Sequence, residues 1–142
     1  MRLMLAAGLI VAGLQGKEAI DFVQVMTGYT EQQADSLITG TLRNLGLTIT
    51  RNRPNGIEAT VEGGSVWGSG KIERVIYATV TVGDSTGIHL TAQEVRYDRH
   101  GMVSKRTRLT SKDGGDNGKF WQKVMAAAKT MDSAAHARAP SP

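Results

Sequence analysis

From Leu47 to Thr110 apolar and polar residues alternate with a period of two, broken at short intervals by Gly-, Asn- and Asp-containing turns. Such alternation belongs to strands with one buried face, and connections this short join only antiparallel neighbours. LTITR (47–51) alternates, and Pro54-Asn55-Gly56 turns the chain. Ile57, Ala59 and Val61 then alternate with Glu58, Thr60 and Glu62. In 71–82, Ile72, Ile76, Ala78, Val80 and Val82 share one face, with Arg74 the exception, while Val75 and Tyr77 lie opposite. After the turn Gly83 to Gly87, Ile88, Leu90 and Ala92 alternate with His89, Thr91 and Gln93, and the run continues to Tyr97. Asp98-Arg99-His100-Gly101 turns once more into a last strand, Met102 to Thr110. The segment GGSVWGSG (63–70) reads as a connection or bulged edge around Trp67.

Two helices flank this meander. Thr30 with Gln33 three residues on forms a capping box. Ala34, Leu37, Ile38, Thr41, Leu42 and Leu45 then recur at three- and four-residue spacing, and Gly46 supplies a stop. The expected helix is 31–45, preceded by a short strand within Ala19–Met26. Phe120, Trp121, Val124, Met125, Ala128 and Met131 make a second stripe, with Asn117 in the loop DGGDNG (113–118) as its candidate cap. A sheet with one apolar face and two striped helices is most economically closed by packing both helices on that face. The expectation is therefore an α+β domain: an antiparallel meander of about five strands with two helices on one face. At 142 residues the chain fits one such domain, spanning 17–131, with a disordered tail over 132–142.

The N-terminus, MRLMLAAGLIVAGLQG, reads as an address. Arg2 is followed by twelve uncharged apolar residues, Leu3 to Leu14, with small residues at Ala12, Gly13 and Gly16. That is the layout of a secretory signal peptide, so 1–16 is expected to be a leader and the protein periplasmic or secreted. The competing reading is an apolar strand or helix of the folded domain. No Cys follows the run, which excludes lipid attachment there, and no run reaches the roughly 18 apolar residues of a spanning helix.

The absence of Cys also excludes disulfides, thiol nucleophiles and Cys-type zinc sites. Seventeen Lys plus Arg against thirteen Asp plus Glu give +4 and a pI near 9.6, which favours anionic partners. Arg96, Arg99, Lys105, Arg106 and Arg108 form the densest basic stretch.

The succession FVQVMTGYTEQQADSLITGTLRNLG, LTIT, NGIEATVEGG, IYATVTV and IHLTAQEVRYD resembles a family of small bacterial exported domains of unknown function. The shared layout is a strand, a striped helix, a Gly-Ile pair (Gly56-Ile57) and a meander with an arginine near its end (Arg96), over about residues 20–98. The resemblance implies a sheet-and-helix fold like that of the TATA-binding protein. It brings no activity and no catalytic residue.

Nothing in the spacing of His89, His100 and His136 suggests a metal site or catalytic triad, and DGGDNG lacks the calcium-loop spacing. Gly70-Lys71 fails the phosphate-loop pattern, since Ile72 stands where Ser or Thr belongs. No cofactor or metal is expected. The candidate partner-binding residues are Trp67, Arg96, Arg106 and Arg108. The expected role is a non-enzymatic exported domain that binds an envelope protein or an anionic surface. The alternative is nucleic-acid binding like that of a double-stranded-RNA-binding domain, through Lys119, Lys123 and Lys129.

Overall fold

The computed structural model describes residues 8–11, 19–53, 56–65 and 70–137. The described elements are β1 (Gly8–Val11), β2 (Val23–Thr27), α1 (Glu31–Asn44), β3 (Thr48–Arg53), β4 (Gly56–Ser65), β5 (Lys71–Val82), β6 (Thr86–Tyr97), β7 (Val103–Arg108) and α2 (Gly115–Ala137). The fold is α+β, as the alternation and the two stripes require. Its strands form one antiparallel sheet in the order β1-β2-β6-β5-β4-β3, with β7 also paired to β6. β6 is long enough to carry two partners along the same side: β2 lies against Thr86–Leu90 and β7 against Gln93–Tyr97.

The core lies between the sheet and the helices, and its face alternates large and small residues. Across the strands run Val23, Leu90, Ala78 and Ile57, and beside them Ala92, Ile76 and Ala59. All seven are at most 2% exposed. The alanines leave room for Ile38 and Leu42 of α1 and for Trp121, Val124 and Met131 of α2. α1 starts on the expected capping box: the Thr30 N–H donates to Gln33 Oε1 at 2.9 Å, and the Gln33 N–H donates to Thr30 Oγ1 at 3.2 Å. It stops at Gly46, whose φ of 86° is cheap only for glycine.

Three features depart from the sequence reading. The middle of the apolar N-terminal run, Gly8–Val11, is a seventh strand at the sheet edge, antiparallel to β2 with Leu9 opposite Val25. The second helix extends through Ala137, so residues 132–137, expected in a disordered tail, are helical. The cause is packing: Ala135 is 3% exposed, and the Tyr29 hydroxyl donates to the Ala134 carbonyl at 3.0 Å. Residues 138–142 lie outside the described residues. Asn117 does not cap α2. The helix begins two residues earlier, and Asn117 turns its amide oxygen to Arg74 instead.

β3 contains a bulge between Ile49 and Arg51. Ile49 pairs with Ala59 on the core side, but Arg51 pairs with Glu58 and Arg53 with Gly56, both on the opposite side. The extra residue, Thr50, reverses the phase of the strand, and its hydroxyl donates to the Glu58 carbonyl at 3.1 Å. Without it, alternation would have carried Arg51 onto the core face with Ile49.

Candidate functional site

The face of the sheet turned away from both helices is built from the alternate residues of the same strands. Successive rungs place Gln24, His89, Thr79, Gly56 and Arg53 in one line and Thr91, Tyr77, Glu58 and Arg51 in the next. A third carries Arg108, Gln93 and Val75, and a fourth Arg106, Val95 and Glu73.

This face is not simply wet. Val75 and Val95 are 3% and 1% exposed although no helix lies over them. Among the described residues, long polar side chains cross the same face. The Arg106 guanidinium reaches diagonally across the sheet and donates from Nη1 to the Tyr77 hydroxyl at 3.3 Å. The Tyr97 hydroxyl donates to Glu73 Oε1 at 2.7 Å. That bond, with burial and the Glu73 charge behind it, pushes the Tyr97 phenol above its ordinary 10.0. Lys71 sits 5.3 Å over the Tyr97 ring and 3.4 Å from Glu73.

At the near end, the His89 ring stacks on Phe22 with centroids 4.5 Å apart. Burial, followed by the Arg108 charge, lowers its pKa below 6.5 against a smaller opposing effect of Asp21. The Arg108 Nε donates to the Asp21 carbonyl at 3.3 Å. Between β3 and β5 the missing side chain of Gly56 leaves a depression of about 150 Å³ whose lining includes Arg51, Arg53, Tyr77 and Thr79. Arg51, Arg53 and Arg106 are all exposed. The face therefore offers guanidinium donors around one phenol, with Glu58 opposite Arg51 in the same lining, and its three exposed arginines are suited to holding anionic groups by charge-assisted hydrogen bonds.

The four residues singled out from the sequence are separated by the fold. Arg106 and Arg108 lie on the open face. Arg96 is on the other side, where its Nε donates to Glu94 Oε1 at 2.8 Å. Trp67 lies outside the described residues. Arg51 and Arg53 were missed, because their place on the open face depends on the bulge at Thr50.

Arg96, itself exposed, lies at the outer edge of an ionic cluster under the start of α2 whose Arg74 and Glu94 are buried. Arg74 Nη2 stands 3.6 Å from Glu94 Oε2, with the two side chains 10% and 7% exposed. The Arg74 Nε donates to Asn117 Oδ1 at 2.6 Å. Burial by itself would raise the Glu94 pKa. Hydrogen bonds from Arg96 and Asn117 and the charges of Arg96 and Arg74 outweigh it and hold the carboxyl below 4.5. Through the Arg74–Asn117 bond the cluster fastens α2 to the sheet. It also accounts for Arg74 as the one charged residue in an inward-facing series.

The lysines of the nucleic-acid alternative are divided. Lys123 donates to the Leu45 carbonyl at 3.3 Å, closing the C-terminal end of α1, while Lys119 and Lys129 are exposed. Among the described residues no group of three His, Asp or Glu could hold a metal ion, and no helix is long and apolar enough to cross a membrane. No known family model and no curated protein matches the chain.

Proposed function

We propose that the protein is an exported, non-enzymatic binding domain whose open sheet face engages an anionic surface of the cell envelope. The observation that carries this reading is the convergence of exposed arginines from two distant parts of the chain, Arg51 and Arg53 of β3 and Arg106 of β7, around Tyr77. Arginine and tyrosine are among the side chains most enriched where proteins bind partners, which supports this reading.

Export is supported by Arg2 and the apolar run Leu3–Leu14. The resemblance to small exported domains supports the same compartment and adds no activity. The double-stranded-RNA reading loses ground because Lys123 is engaged by α1.

Vesicle sedimentation tests the proposal. The chain is expected to bind phosphatidylglycerol vesicles at low salt, to release at high salt, and to ignore phosphatidylcholine vesicles. Each arginine near an anionic surface is worth about 1 kcal/mol, so Arg53→Ala with Arg106→Ala weakens binding about 30-fold. Equal binding to both vesicle types, or a double variant that binds like the parent, overturns it. Binding to duplex RNA but not to vesicles would favour the alternative.

A further inference from the structure

The sheet has two lateral edges, and the chain treats them differently. The β3 edge is guarded. It carries Arg51 and Arg53 and a bulge, devices that discourage a second strand from adding on. β2 reads VQVMT, with no charge and no proline, and its ladders to β1 and β6 run without a bulge. Among the described residues, the cover on its outer side is β1, four residues drawn from the apolar N-terminal run.

We infer that β1 is a removable cover, and that once it leaves, the β2 strands of two copies of this chain pair antiparallel across a two-fold axis. The inference rests on the export reading for its trigger, because cleavage of the leader is what takes β1 away. The direction of the new pairing is already present in the structure: β2 accepts β1 antiparallel, with Gly8 opposite Met26 and Val11 opposite Val23. A second β2 centred on Val25 has that same direction. It sets Val23 opposite Thr27 and Gln24 opposite Met26, so no like charges meet. The faces stay in phase as well. Val23, Val25 and Thr27, all fully buried here, remain on the helix side in both copies. An isologous contact of this kind closes at two subunits.

The test uses the full chain. Leu9→Pro with Ile10→Pro removes whichever N–H of β1 faces β2, and so frees the edge without truncation. Light scattering is expected to give one chain mass for the parent and twice that mass for the proline variant. Adding Gln24→Lys and Met26→Lys, which places lysines opposite one another across the axis, returns it to one mass. A proline variant that stays monomeric with an unchanged circular dichroism spectrum overturns the inference, as does a dimer that the lysines leave intact. If the proline variant precipitates, the chain recovered from a secreting host is weighed in its place, and a monomer that has lost β1 overturns the inference. The mass of that chain judges export separately. An intact Met1 defeats the cleavage trigger, while the proline variant still decides the pairing.

Discussion

β6 shows both faces of the molecule in adjacent residues. Ile88, Leu90 and Ala92 are fully buried beneath the helices, while His89, Thr91 and Gln93 face away and are half-buried. The two sets are sealed by different means. The covered face excludes water with whole helices packed over alternating large and small apolar residues. The open face buries two valines, Val75 and Val95, and carries exposed arginines whose polar ends stay available. One strand can therefore serve stability on one side and recognition on the other, and substitutions on the two sides are expected to differ in kind as well as size.

The largest effect is expected at Glu94, on the covered side. Glu94→Ala leaves Arg74 enclosed with only Asn117 as partner, and stranding a buried charge costs about 3–5 kcal/mol. Urea unfolding monitored by circular dichroism measures it. A loss under about 1 kcal/mol would mean that the cluster is solvated and that the covered face is less closed than its exposures indicate. The same group sets the acid limit. Its carboxyl is held below 4.5, so its contribution is complete above that pH and is lost as pH falls through the lower folded value.

The next pair compares neighbours directly. Leu90→Ala opens a cavity under both helices and is expected to cost about 2–5 kcal/mol. Thr91→Ala, one residue on and facing outward, is expected to stay within about 0.5 kcal/mol. Comparable losses at the two positions would erase the distinction between the faces.

How far this asymmetry was legible in the sequence depends on how local its cause is. α1 was readable because its capping box, its stripe and Gly46 all act within a turn or two of one another. The meander was readable because period two survives along each strand. The bulge was not, because Thr50 looks like any other strand residue, and only the pairing of Arg51 with Glu58 reveals the reversed phase. Glu94 meets Arg74 and Asn117 only through strand register and the start of α2, so the sequence displayed Arg74 as an exception without its partners. The N-terminal run was read as a leader because twelve apolar residues without a polar position show no amphipathic period, and a four-residue edge strand inside it is too short to reveal one. On the open face, the sequence pointed to Arg106 and Arg108 and missed the β3 arginines that surround the same phenol.

Arg106→Ala sharpens the contrast from the open side. The guanidinium is exposed and its bond to Tyr77 is long, so unfolding stability is expected to change by about 0.5 kcal/mol or less. Vesicle binding, in contrast, should weaken about fivefold and show a shallower dependence on salt. A variant that loses stability and keeps its binding would assign Arg106 to structure and remove it from the site.

The smallest expected effect belongs to His89. Its folded pKa lies below 6.5 because burial and Arg108 disfavour the imidazolium. Above 6.5 the ring is neutral in both the folded and the unfolded chain and contributes no pH dependence. As pH falls, the unfolded chain takes up the proton first, so stability declines until the pH passes below the folded value. Denaturant unfolding at about pH 7.5 and about pH 5.5 isolates this step from Glu94, which titrates lower. His89→Gln should abolish that part of the decline while leaving the Glu94 limit in place. If the parent gains stability over the same interval, the ring is stabilised as a cation. The Phe22 stack would then be a cation–π contact, and the open face would hold one more positive charge than its geometry at neutral pH implies.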